Sequence, residues 1–137
     1  MADQPSPELM KGVIPYLNVI GANEAVEFYK KAFGAEETGR MPSEDGERLM
    51  HCQLTINGGT LMISDCFPEH GYEHQPSHSF TMQLVVDDID SWWKRAVDAG
   101  IEVRMPVEVM FWGDRWGSVK DRWGVHWAFN EPAKPAA

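Results

Sequence analysis

The chain has 137 residues, 43% of them hydrophobic and 24% charged, which suits one globular domain spanning 1–137 and excludes a disordered or fibrous chain. A formal charge of −9, with no run of Lys or Arg, excludes a nucleic-acid or anionic-membrane surface, because such surfaces draw their affinity from clustered cations. Cys52 and Cys66 lack CxxC spacing and point to a reducing cytoplasm, and no apolar run reaches the roughly 20 residues a membrane helix needs.

Met1 to Lys11 carries Pro and Ser and no basic flank before an apolar stretch, so it reads as a loose lead-in and not as a signal peptide. Val13 to Ile20 is a predicted strand, with Leu17 and Val19 on one face and Ile14, Tyr16 and Asn18 on the other. Apolar residues then fall at Ala25, Phe28, Tyr29, Ala32 and Phe33, the stripe of a helix lying on a core, with Asn23 as its N-cap and Gly34 as its left-handed stop. Ala35 to Met41, Arg48 to Ile56 and Thr60 to Ser64 are the next strands, the last two joined by the turn signal Asn57-Gly58-Gly59. His51 and Gln53 alternate with Met50, Cys52 and Leu54, which sends the two polar side chains away from the helix.

Asp65 to Ser79, rich in Pro, Gly and His, reads as a linker and a candidate lid. His70, His74 and His78 recur at a spacing that would align metal ligands on a helix, but Pro68, Gly71 and Pro76 break that helix, so a solvated loop is expected. The second half repeats the first. Thr81 to Val86 is a strand, with Met82, Leu84 and Val86 on one face and Gln83 on the other. A helix follows with Asp88 as N-cap, apolar positions at Ile89, Trp92, Trp93, Ala96 and Val97, and Gly100 as its stop. Ile101 to Val109, Arg115 to Lys120 and Val125 to Phe129 are its strands, and Pro106 marks the first as an edge or a bulge.

Both apolar stripes coincide at one constant offset, the distance from Ala25 to Ile89, and Lys30-Lys31 falls on Lys94-Arg95. The expected fold is therefore α+β, two tandem βαβββ modules with curved mixed sheets around a cup-shaped cavity, because a single helix covers only one side of each sheet. Module one covers 12–65, the linker 66–78, module two 79–130 and a short tail 131–137.

Candidate site residues follow from the bare faces: Tyr16, Asn18, His51 and Gln53 in module one, and Gln83, Trp112, Arg115, Trp116 and His126 in module two. His51 and His126 suit general acid or base work, since imidazole titrates near neutral pH; the alternative is a hydrogen-bonded structural histidine. Around Gly113 and Gly117, the rings of Trp112 and Trp116 and the Arg115 guanidinium can close over a planar or anionic ligand, or simply pack. The six tryptophans are expected mainly as buried packing area, Asp114 and Asp121 as turn residues, and both cysteines as buried thiols.

Within this arrangement, Tyr16-Leu17-Asn18-Val19 leading to Glu27-Phe28-Tyr29-Lys30-Lys31-Ala32-Phe33-Gly34 resembles the vicinal oxygen chelate superfamily of glyoxalase I, bleomycin-resistance proteins and extradiol dioxygenases, over nearly the whole chain. Leu49-Met50-His51, Gly59-Thr60-Leu61-Met62-Ile63-Ser64-Asp65 and the stretch from Trp112 through Trp127 resemble its PhnB-like branch. The resemblance implies a divalent metal held by His or Glu from the first and last strands of each module. Those positions fall at Ile14 or Tyr16, at Met62 or Ser64, at or near Thr81, and at Ala128. The usual ligand set is absent there, so no metal or other cofactor is expected at those positions, while a divalent metal elsewhere stays open. His78, three residues before Thr81, falls on the opposite face. What the resemblance then implies is a homodimeric cytoplasmic protein of the resistance or sequestration type that binds a small molecule, with no nucleic-acid or membrane partner. The alternative is a lyase, isomerase or dioxygenase-type enzyme of glyoxalase ancestry acting on a small oxygenated substrate through His51 and His126 or through a metal site elsewhere.

Overall fold

The computed structural model describes residues 7–134, in which two α-helices and two four-stranded mixed sheets repeat one order of elements. The chain divides into two compact units, Met1–Gln75 and Pro76–Ala137. All three tyrosines, Tyr16, Tyr29 and Tyr72, fall in the first unit, and all six tryptophans, from Trp92 to Trp127, fall in the second.

The first unit runs β1 (Tyr16–Val19), α1 (Ala22–Phe33), β2 (Glu36–Pro42), β3 (Leu49–Ile56) and β4 (Gly59–Asp65). Its strands lie in the order β1-β4-β3-β2, with β1 and β4 parallel and the other neighbours antiparallel. Helix α1 packs on β3 and β4, and Val26, Tyr29 and Phe33 are buried with Leu17, Val19, Cys52, Leu54 and Ile63. Each large apolar side chain so buried stabilises the unit by about 1.5–3 kcal/mol. Gly34 stops the helix as expected, at φ 65°, with its N–H bonded to the Lys30 carbonyl. Asn57 and Gly58 both have positive φ, 50° and 78°, as a two-residue hairpin turn requires.

Two expectations are corrected here. Asn23 is not the N-cap of α1. The cap is Gly21, and the acceptor is a carboxylate from across the sheet: Asp65 Oδ1 takes the N–H groups of Gly21 at 2.8 Å and Ala22 at 3.0 Å. Parallel pairing of Val19 with Asp65 brings that carboxylate to the helix start, and Asn23 instead donates to the Glu47 carbonyl and accepts from Arg40. Met50 does not lie on the helix side either. The β2–β3 register slips between Met41, opposite His51, and Pro42, opposite Leu49. This bulge buries Leu49 and turns Met50 outward, 53% exposed.

In the second unit, β5 (Met82–Val85), α2 (Ile89–Asp98), β6 (Glu102–Val109), β7 (Arg115–Lys120) and β8 (His126–Glu131) form a sheet in the order β5-β8-β7-β6. Asp88 does cap α2, accepting the Ser91 N–H at 3.2 Å. Glu131, at the end of the last strand as Asp65 is in the first unit, accepts the Ile89 N–H at 3.1 Å. Trp92 and Trp93 both lie against Phe129, with ring centroids 6.3 and 5.9 Å away. Gly117 lies directly beneath Trp93, where a Cβ would sit only 2.8 Å from the indole ring. Pro106 stands in the edge strand β6, where the pairing with β7 also slips. Of the six tryptophans only Trp127 is fully buried, while Trp112 is 46% exposed, so the expectation that they mainly supply core area holds for Trp127 and not for Trp112.

Candidate functional site

Pairing defines the bare face of the first sheet. Tyr16 stands opposite Met62, Met62 opposite Gln53, and Asn18 opposite Ser64, all out of phase with the residues under α1. Where β1 and β4 end, a cavity of about 940 Å³ opens in this unit. Tyr16, Asn18 and Ser64 form its floor, and Met50 reaches it by way of the bulge. Its rim is the β2–β3 turn from Ser43 to Arg48 and the segment from Phe67 to Tyr72 that follows β4.

The floor is polar and ordered. Tyr16 shares a 3.0 Å hydrogen bond with His51 Nδ1. Asn18 Nδ2 donates to Ser64 Oγ at 2.9 Å, and the Ser64 hydroxyl donates in turn to the Asp65 backbone carbonyl at 3.1 Å. At the rim, Arg48 holds the 66–72 segment in place. Its guanidinium lies 4.2 Å from the centroid of the Phe67 ring, donates to the Cys66 carbonyl at 3.4 Å and binds both oxygens of Glu69. That hydrogen-bonded cation pulls the Glu69 carboxyl down to about 2. Phe67 and Tyr72 exchange backbone hydrogen bonds of 2.8 and 3.0 Å, closing the segment on itself. Asp45 is held below the ordinary carboxylate range by the Ser43 hydroxyl and the Glu47 N–H.

This arrangement offers a phenol, a carboxamide, a hydroxyl, a guanidinium, a thioether and two aromatic rings around one concavity, the chemistry of a site for a small amphipathic molecule. It offers no thiol nucleophile. Burial pushes the Cys52 thiol up to about 11 and raises Cys66 as well, so neither supplies thiolate at neutral pH.

Of the residues singled out from the sequence, Tyr16 and Asn18 line the cavity, and His51 stands behind Tyr16 as its hydrogen-bond partner. Gln53 is on the same face but 8% exposed, because Met10 lies over it with its sulfur 3.4 Å from the Gln53 amide nitrogen. In the second unit, Trp116 Nε1 donates to Gln83 Oε1 at 3.4 Å, and Trp112 meets Trp116 edge to face at 6.4 Å. Arg115 does not join them. It is in phase with Gly117 on the α2 side and makes a bidentate pair with Asp90, both bonds 2.9 Å. His126 lies in phase with Ala128 on the bare face, its ring 5.6 Å from that of His78, so His78 meets this face and not the opposite one expected from its spacing to Thr81, because the irregular segment before β5 does not keep the strand's alternation.

Sequence reasoning did not pick out Arg48, Phe67, Glu69, Tyr72 or Met50. Their contacts depend on two loops meeting and on a bulge, and the only signal was the reading of 65–79 as a candidate lid. The metal positions implied by the resemblance carry Ile14 or Tyr16, Met62 or Ser64, a residue at or near Thr81, and Ala128, and among the described residues no group of three or more His, Cys, Asp or Glu side chains converges to hold an ion. These residues do not fit the superfamily's catalytic metal.

Residues 13–129 match the family described as Glyoxalase/Bleomycin resistance protein/Dioxygenase superfamily. An uncharacterised protein of Mycobacterium bovis, Mb0911c, is 40% identical over 126 residues, covering 88% of this chain and 82% of its own. The crystal structure of PA1353 from Pseudomonas aeruginosa superposes with a TM-score of 0.73 at 27% identity, covering 89% of this chain and 98% of that one. A Bacillus cereus structure described as a putative 3-demethylubiquinone-9 3-methyltransferase, PhnB protein, shares the fold with a TM-score of 0.70 at 18% identity, covering 89% and 100%. With two βαβββ units and a family match over most of its length, the chain belongs to the glyoxalase/bleomycin resistance protein/dioxygenase superfamily.

Proposed function

We propose that this protein, a member of the PhnB-like branch, binds a small oxygenated and partly apolar molecule in the cavity of its first unit and needs no metal to hold it. The observation that carries this reading is the cavity of about 940 Å³ with its hydrogen-bonded floor of Tyr16, Asn18 and Ser64 and its Arg48–Phe67 rim. Tyr16 and Asn18 present polar groups without a metal, and the rings of Phe67 and Tyr72 supply apolar contact. The test is a fragment screen of oxygenated aromatic compounds followed by amide chemical shifts. Hits are expected to perturb Tyr16, Asn18, Ser64, Phe67 and Tyr72, and Asn18→Ala to weaken them about tenfold, the loss of one well-formed hydrogen bond. Hits that leave these residues unmoved overturn the proposal.

One observation favours an enzymatic second reading, a lyase or isomerase: Tyr16 sits between the cavity and His51, so a proton taken from a bound ligand by the phenol has an imidazole to pass to. On that reading Tyr16→Phe and His51→Ala abolish turnover of a bound compound while keeping its affinity within a few-fold. A cytoplasmic homodimer is part of the same proposal. The two free thiols suit a reducing compartment, and the exposed edge strand β6, with Val103, Met105 and Val109 open to solvent, is a surface that a second copy can cover.

A further inference from the structure

We infer that His78 and His126 form a two-nitrogen site for a transition-metal dication on the bare face of the second sheet. The inference stands apart from the cavity, since both histidines belong to the second unit and neither lines the space between Tyr16 and Tyr72. His126 is the first residue of β8 and is paired with Lys120 across the strand, so its backbone is fixed. His78 lies in the irregular segment before β5 and is exposed, so its ring has room to turn.

The two imidazole centroids are 5.6 Å apart and their planes cross at 73°. With metal–nitrogen bonds of about 2.0–2.1 Å and a ring nitrogen about 1.1 Å from its centroid, two histidines place their centroids about 5.2 Å apart on a tetrahedral ion and about 4.5 Å apart in neighbouring positions of a tetragonal one. The remaining approach falls to the exposed His78, since His126 belongs to β8. The positions are also not those of the superfamily's metal, which fall at Thr81 and Ala128.

Two protein donors leave the remaining coordination positions to water, so the ion is exchangeable and not a resident cofactor. Among the described residues no third His, Cys, Asp or Glu joins the pair. Imidazole nitrogen selects borderline ions such as Cu(II), Ni(II) and Zn(II) over Ca(II) or Mg(II), and Cu(II) binds most tightly of these. Lys120, directly across from His126, repels every dication alike and so lowers the affinity without altering the order of preference. A bound ion cross-links the segment entering β5 to strand β8.

The test is titration of the full, untagged chain with Cu(II), followed by calorimetry and electron paramagnetic resonance. One equivalent with the hyperfine pattern of two nitrogens is expected. His78→Ala, a change in an exposed segment that circular dichroism can verify as folded, and His126→Ala should each weaken binding about tenfold or more and reduce the pattern to a single nitrogen. The double variant His70→Ala/His74→Ala should bind as the native chain does. A His78→Ala variant that retains native affinity, or loss of the signal in the His70/His74 double variant, overturns the inference.

Discussion

Asp65→Asn is the sharpest perturbation of the scaffold that carries the cavity. Asp65 is 4% exposed. One of its oxygens takes the N–H groups of Gly21 and Ala22 at the start of α1, and the other takes the Leu49 N–H at 2.7 Å beside the bulge. An amide of the same shape has one acceptor oxygen where the carboxylate has two. Either the helix start or Leu49 must then face an NH₂ group. Losing a charge-assisted hydrogen bond at a buried N–H costs about 1.5–3 kcal/mol, and removing the negative charge from the helix N-terminus adds about 0.3–1 kcal/mol. The expected cost is about 2–4 kcal/mol, a large share of the roughly 5–15 kcal/mol that holds a domain folded. Urea denaturation followed by far-ultraviolet circular dichroism should show the midpoint lowered by about 1–2 M, given a slope of about 2 kcal/mol/M. Hydrogen exchange should accelerate at whichever set loses the acceptor, Gly21 with Ala22 or Leu49, and the loss of stability should accompany it in either case. An unchanged midpoint, or faster exchange at Leu49 alone with the helix start fully protected and no loss of stability, would refute the assignment of Asp65 as the shared cap.

Gly117→Ala places a methyl carbon 2.8 Å from the Trp93 ring and 3.0 Å from Val107, so it should lower thermal stability by about 1–3 kcal/mol. Gly39→Ala, where a Cβ meets nothing within 4 Å, is the matched control, and equal melting temperatures for the two variants would contradict the packing described. For the Arg48–Glu69 clasp the sign follows from a lowered carboxyl. Its contribution is complete above the ordinary value of 4.5 and is lost as pH falls toward about 2. A nuclear magnetic resonance titration of the Glu69 carboxyl should therefore give a midpoint far below its ordinary value, and a midpoint at the ordinary value would mean that the clasp does not form in solution.

Much of the fold was readable because it rests on periodic, local signals. The repeated apolar stripes, the Asn57-Gly58 turn, the Asp88 cap and the Gly34 stop each depend on neighbours a few residues away. The misses are all long-range. Asn23 was a plausible cap until β4 delivered Asp65 to the same N–H groups, and the alternation that put Met50 under the helix was broken by pairing opposite Pro42. Gln53 was rightly placed on the bare face, but its cover, Met10, comes from a segment with no pattern to announce it. Arg115 is a different case: its phase with Gly117 and Val119 was legible and already put it beside α2, away from Trp116. Arg48 and Glu69 meet only because two loops fold over one cavity, which no spacing in the chain encodes.

The segregation of tyrosine from tryptophan gives each half of this protein its own optical reporter. Every phenol lies in one unit and every indole in the other, so tyrosine and tryptophan emission report on different units without any label. Tyr16 and Tyr72 both border the cavity. A compound seated there should dim the emission of these two tyrosines while leaving directly excited indole light unchanged, and one titration would then report which unit it binds.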